Sequence, residues 1–152
     1  LAASIPQIGS LVSIDLTNNR LGGDAVKTLL AALATQGGLT SVSLRTNNMG
    51  PIGALATANF LQQSPGLLHL DLGGNEILDA GLRALCGGLA SHPNLTSLAL
   101  PRNRLGVQGG QALADCLKHG REGRGGRRSG CPTLRELDLS WNNLRGKGAV
   151  AI

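Results

Sequence analysis

Three aspartates recur at one position of a repeated segment. Asp15, Asp71 and Asp138 end the stretches SID, HLD and ELD. Two carboxylates can act as general acid and base when they face one bond and their surroundings separate their pKa values. Here Ser43 and Ala99 occupy the same position in the intervening copies. This regular column favours a solvated surface, and we predict no catalytic residues.

An asparagine follows each of these segments at a fixed distance. Such a row could be taken for a set of polar catalytic groups. An amide also has the donors and the acceptor that a tight turn needs for its backbone groups, and we prefer this structural interpretation. The five residues are Asn19, Asn47, Asn75, Asn103 and Asn142.

Histidines and cysteines give no further sign of chemistry. His69, His92 and His119 lack a serine or cysteine partner at a repeat position that would build a triad, and we interpret them as ordinary surface groups. The three cysteines are an odd number without CxxC spacing, which argues against a disulfide framework and a zinc site. We therefore predict no metal and no cofactor, and a reducing compartment.

The same segments predict a surface for a partner. Their outward-facing positions include charged groups, and Trp141 lies just before an asparagine of the row, where a core needs no aromatic ring. An exposed tryptophan is a good contact anchor, although packing against a neighbouring unit would explain Trp141 equally well. The predicted contact residues are Asp15, Arg45, His69, Asp71, Arg102, Asp138 and Trp141.

A repeat must position these residues. The pattern LxxLxLxxNxL occurs five times, beginning at Leu11, Leu39, Leu67, Leu95 and Leu134, at intervals of 28, 28, 28 and 39 residues. Its alternating apolar pair predicts a short strand, and apolar residues then return at helical spacing. Strand–helix units of this length imply a parallel sheet with right-handed crossovers.

The 28-residue period, this consensus and the LGxxGAxxLAxxL-like segment after it resemble ribonuclease-inhibitor-type leucine-rich repeats. The resemblance implies an α/β solenoid with strands on the concave face and helices on the convex face. It also implies that the asparagines form a ladder. Glycines near the helix starts, at Gly53, Gly81, Gly109 and Gly148, are expected to let neighbouring backbones approach.

The family that the chain resembles includes several kinds of protein. Ribonuclease inhibitors are cysteine-rich and acidic, unlike this chain. We expect a non-enzymatic scaffold in a larger cytoplasmic or cytoskeletal, for example ciliary, assembly. A GTPase-activating or other enzyme-regulating protein is the alternative, with Arg45 and Arg102 placed to stabilise charge, and the sensor domain of a NOD-like receptor is another.

A basic insertion separates the fourth and fifth copies, at about 118–133. Lys118, Arg121, Arg124, Arg127 and Arg128 against Glu122 give +4 of the chain's net +5, so the repeats themselves are close to neutral. A disordered surface loop is one interpretation. Contact with RNA or with an acidic protein surface is the other, but no aromatic residue interleaves the arginines.

Composition sets the remaining expectations. The 152 residues are 41% hydrophobic and 1% aromatic with 23 glycines, which suits a single repeat domain over 1–152 with many slots of similar size. No stretch is long and apolar enough to span a bilayer, so we expect no membrane contact. Both ends fall in mid-helix by repeat position and lack polar capping units, which predicts a fragment of a longer repeat protein.

Overall fold

The computed structural model describes residues 2–4, 10–90, 92–118, 131–146 and 148. Strands and helices alternate along this part of the chain, as the repeat predicts. The elements are β1 (Ser13–Asp15), α1 (Gly22–Leu33), β2 (Ser41–Ser43), α2 (Gly50–Gln63), β3 (His69–Asp71), α3 (Leu78–Leu89), β4 (Ser97–Ala99), α4 (Val107–Lys118) and β5 (Glu136–Asp138).

The strands form one parallel sheet in the order β1-β2-β3-β4-β5. Each pairs with its equivalent in the next repeat, so that Ile14 stands opposite Val42 and Val42 opposite Leu70. The insertion precedes β5, yet β4 and β5 pair in the same register, with Leu98 opposite Leu137. The extra residues therefore leave the sheet unchanged.

The core lies between the sheet and the row of helices. The middle residue of each central strand points inward, and Val42, Leu70 and Leu98 are at most 2% exposed. Ile14 and Leu137 are only partly buried, because an edge strand has a neighbour on one side alone. The alternation of apolar residues thus fixes which side chains remain outside.

The four glycines near the helix starts differ in which atoms lie closest to them. A Cβ added to Gly81 or Gly148 would lie 3.1 Å from backbone Cα atoms of the preceding helix, as predicted. At Gly53 it would instead meet the Met49 side chain, and at Gly109 the Asp79 carboxylate. At Gly53 and Gly109 the atoms nearest to the added Cβ are therefore side-chain atoms and not backbone atoms.

Within the described ranges, none of the helices is long and apolar enough to cross a membrane.

Candidate interaction surface

The outward side of the sheet carries five of the seven predicted contact residues, and the other two, Arg102 and Trp141, lie at its edge. We call it the sheet face. Alternation places one outward side chain on each side of every buried strand residue, and the turn after each strand adds a third. The sheet face comprises Ser13, Asp15, Thr17, Ser41, Ser43, Arg45, His69, Asp71, Gly73, Ser97, Ala99, Pro101, Glu136, Asp138 and Ser140, of which Gly73 and Pro101 are buried.

The aspartates of the sheet face share one local geometry. In each, a carboxylate oxygen accepts the backbone N–H two residues further on: Thr17 at 2.9 Å, Gly73 at 2.8 Å and Ser140 at 2.8 Å. Hydrogen bonds from the Thr17 hydroxyl and amide lower the pKa of Asp15, and those from Ser140 lower the pKa of Asp138. Both carboxylates are therefore ionised at neutral pH.

These carboxylates do not form a catalytic pair. They lie on alternate strands, so neighbouring members of the column are about 9–10 Å apart, two strand spacings. A lowered pKa also makes Asp15 and Asp138 poor proton donors near neutrality. The column is a row of separate negative charges.

Arg45 is already engaged within the chain. Its Nη1 lies 3.5 Å from Oδ2 of Asp71, and both side chains are partly exposed. Gly73 provides the space, since a Cβ there would lie 2.9 Å from Nη1. An exposed pair of this kind adds little stability, but it reduces the freedom of both groups to meet a partner.

Trp141 and Arg102, predicted separately as contacts, lie together. The Arg102 guanidinium is 5.2 Å from the centre of the Trp141 ring. The tryptophan is nevertheless 78% exposed. An exposed cation–π contact contributes about 0.5–1 kcal/mol, so the pair presents a partly ordered aromatic and cationic group at the edge of the sheet face.

The backbone explains this placement. Trp141 and Arg102 both have left-handed φ values, of 58° and 55°. Asn18, Thr46 and Gly74 share the repeat position and this conformation. The Arg102 N–H donates to the Ser140 carbonyl at 3.0 Å. The turn therefore holds the two side chains in successive repeats side by side.

The asparagine row forms a hydrogen-bonded ladder beneath this edge. The Asn75 side-chain amide donates to the carbonyls of Leu44, Leu72 and Gly73, and its oxygen accepts the N–H groups of Asn47 and Met49. Asn103 makes equivalent bonds in the next repeat. Asn75 is 0% exposed, so its amide joins repeats and is not available to a ligand.

His92 corrects the interpretation of the histidines as surface groups. It is 2% exposed, whereas His69 is exposed on the sheet face. Its Nδ1 accepts N–H groups of Asn94 and Leu95 at 3.3 and 3.0 Å, and Nε2 lies 3.0 Å from the Ser64 carbonyl. Nδ1 faces two donors, so the neutral ring carries its proton on Nε2. His119 lies outside the described residues.

The repeat alignment contained a signal for this role. His92 stands three residues before the first leucine of its copy, as Ser64 and Cys131 do in theirs. Those two residues are also buried. A position that is buried in successive copies is a structural slot for whichever residue occupies it.

We expect His92 to make the fold sensitive to mild acid. Burial lowers the pKa of His92 below the ordinary value for an imidazole, so the unfolded chain binds the proton more readily than the folded one. The contribution of neutral His92 to the free energy of unfolding should therefore be fully present above about pH 6.5. It should decrease as the pH falls towards the pKa of His92 in the folded chain. Urea unfolding at several pH values measures this slope.

The matched variants are His92→Gln and His69→Gln. The first should weaken the fold at neutral pH and reduce the slope between about pH 7 and pH 5.5. The second removes an exposed imidazole on the sheet face and should leave the free energy of unfolding at neutral pH unchanged. An undiminished slope in His92→Gln would assign the acid sensitivity to other groups.

Among the described residues, no group of three or more His, Cys, Asp or Glu side chains could hold a metal ion. Residues 119–130 of the basic insertion lie outside the described residues. Of the remainder, Lys118 ends α4, and the buried Cys131 lies on the approach to β5. The predicted contacts of the insertion therefore stay predictions.

Comparison with known proteins identifies a family of repeats that this chain is similar to. A family model described as Leucine Rich repeat matches residues 63–86, 91–114 and 130–152. These stretches run from the end of α2 into α3, from the approach to β4 into α4, and over the β5 unit. A comparison with curated proteins finds no match.

Proposed function

We propose that this chain, an α/β leucine-rich-repeat solenoid, is a non-enzymatic scaffold that binds a protein partner on its sheet face. Leucine-rich repeats generally mediate protein–protein interaction. The main support for the proposal is Trp141 at the edge of the sheet face. Its ring is 78% exposed and makes a cation–π contact with Arg102.

Trp141 and Arg102 have the character of an interface anchor. Tryptophan and arginine are enriched among the residues that dominate binding energy at interfaces. Their mutual contact restrains both side chains before a partner arrives, which lowers the entropy lost on binding. The ring adds apolar area that the repeat core does not need.

The charge of the sheet face indicates the partner's chemistry. Asp15, Asp71, Glu136 and Asp138 are its acids, and Arg45 is its one arginine or lysine and is paired with Asp71. Complementary charge speeds association and selects against like-charged partners. We therefore infer that the partner presents a basic stretch, and that its binding weakens as salt is raised.

The proposed setting is a larger cytoplasmic or cytoskeletal assembly, for example a ciliary one. The three free cysteines support a reducing compartment. An enzyme-regulating role, such as GTPase activation, receives less support, because Arg45, one of the two arginines expected to stabilise charge, is already paired with the Asp71 carboxylate. Clear acceleration of GTP hydrolysis on addition of this chain would overturn the scaffold proposal.

Affinity capture with two variants tests the surface. The immobilised chain is incubated with cell extract, and captured proteins are quantified by mass spectrometry. Trp141→Ala should reduce capture of the specific partner at least about tenfold, because loss of an anchor typically costs 2 kcal/mol or more. Asp71→Arg should reduce it as well, by reversing charge in the middle of the sheet face.

Controls come from the helix side. Ile52→Ala removes an exposed apolar side chain from α2 and Asp24→Arg reverses an exposed charge on α1, and neither should change capture. Circular dichroism of all four variants checks that each of them folds. If Trp141→Ala and Asp71→Arg capture the same proteins in the same amounts as the unmodified chain, the sheet face is not the binding surface.

A further inference from the structure

Two cysteines from neighbouring repeats meet on the helix side of the solenoid. Cys86 lies on α3 and Cys116 on α4. The Cys116 sulfur is 3.6 Å from the Cys86 carbonyl oxygen, and the Cys86 sulfur is 3.7 Å from the Ala112 carbonyl oxygen. Each thiol thus lies against the backbone of the other's helix.

The two thiols also interact with each other. The neighbouring Cys86 thiol lowers the pKa of Cys116, while the Cys116 thiol and burial raise the pKa of Cys86. Cys116 is therefore the better nucleophile of the two. Cys86 is partly exposed, which gives a small oxidant a path to the pair.

We propose that Cys86 and Cys116 form an oxidation site, at which hydrogen peroxide converts the two thiols into a reversible disulfide between α3 and α4. This modification is independent of the sheet face and of any partner there. It arises from the packing of two helices, since the residues are thirty positions apart and share no sequence motif.

The reaction balances with peroxide as the oxidant. The Cys116 thiolate attacks one peroxide oxygen, the O–O bond breaks, and a sulfenic acid and hydroxide form. The Cys86 sulfur then attacks the Cys116 sulfur; the S–S bond forms, the S–O bond breaks, and water leaves. Together the two thiols lose two protons and two electrons, and one peroxide becomes two waters. The product ties the third repeat to the fourth.

Cys131 provides an internal comparison. It is 8% exposed, much as Cys116 is at 9%, but burial and then the nearby Cys116 raise the pKa of Cys131, whereas the pKa of Cys116 is lowered; the Cys131 sulfur lies 4.0 Å from the Leu95 carbonyl oxygen. A buried thiol with a raised pKa reacts slowly with peroxide. It should remain reduced while the other two are oxidised.

The test is peptide mapping of the folded chain after treatment with hydrogen peroxide. We expect the three titratable thiols to fall to one, a cross-linked peptide pair that contains Cys86 and Cys116, and a rise in the thermal unfolding midpoint. Dithiothreitol should reverse all three changes. Cys131→Ser should behave like the unmodified chain apart from its missing thiol.

Three outcomes would overturn the proposal: oxidation that consumes Cys131 first, cross-links only between separate chains, or three free thiols after treatment. Mapping the unmodified chain decides among them without any variant. Cys86→Ser and Cys116→Ser add a second measurement. Each should lose the cross-link within one chain, and circular dichroism shows whether it still folds.

Discussion

Replacing Asn75 with alanine is expected to lower the free energy of unfolding by about 3 kcal/mol. The Asn75 side-chain oxygen is the acceptor for the Asn47 N–H at 2.8 Å and for the Met49 N–H at 3.4 Å. Both donors are buried. Without the amide they lose this acceptor, and each unsatisfied buried donor costs about 1–3 kcal/mol.

The lost donor bonds matter less, because each carbonyl that Asn75 serves has a second partner. Leu44 also accepts from Asn47, and Leu72 also accepts from Asn103. The Gly73 carbonyl also accepts the Thr46 N–H. The expected cost therefore comes chiefly from the two orphaned N–H groups.

Asn19→Ala is the matched control, at the same repeat position in the first copy. Its side chain is exposed and donates to the Leu16 and Thr17 carbonyls. Water can replace those bonds, so we expect a loss below about 1 kcal/mol. Urea unfolding of both variants gives the comparison. Equal losses of free energy of unfolding in the two variants would mean that burial does not determine how much the Asn75 hydrogen bonds contribute.

The repeat pattern carried enough information to predict the fold. Apolar side chains must be buried, and their spacing states directly which residues face inward, as at Val42, Leu70 and Leu98. The order and register of the strands follow from the same copies. The positions of Asp15, Asp71 and Asp138 on the outer side of the sheet could be predicted for this reason.

Contacts between side chains of different repeats could not be predicted in this way. Arg45 reaches Asp71 because Gly73 leaves space for its guanidinium. Arg102 lies on Trp141 because two turns share a left-handed conformation. Such contacts depend on rotamers and backbone angles that a consensus does not encode.

The packing of neighbouring helices could not be predicted from the repeat pattern either. The consensus predicts which residues of α3 and α4 are apolar, but not how the two helices are rotated against each other. That rotation places Cys86 beside Cys116, and it brings some glycines, but not others, into close contact with a neighbouring helix. Adjacent glycines in one helix can therefore have opposite roles.

Gly88→Ala is expected to lower the free energy of unfolding by about 2 kcal/mol. A Cβ at Gly88 would lie within contact distance of the backbone of Ala58 in α2, 2.8 Å from its Cα and 3.0 Å from its carbonyl carbon. Backbone atoms cannot rotate aside, so α2 and α3 must separate. Overpacking of this kind costs about 1–3 kcal/mol, more than the gain of up to about 1 kcal/mol from a better helix former.

Gly87→Ala is the matched control, one residue earlier in the same helix. A Cβ there meets no atom within 4 Å, so the substitution gives only the helix-propensity gain and should raise the free energy of unfolding by about 0.5–1 kcal/mol. Chemical denaturation of the two variants should show shifts of opposite sign. A shift of the same sign in both would mean that close contact between α2 and α3 does not set the spacing of these repeats, because the two substitutions differ only in what the new methyl group meets.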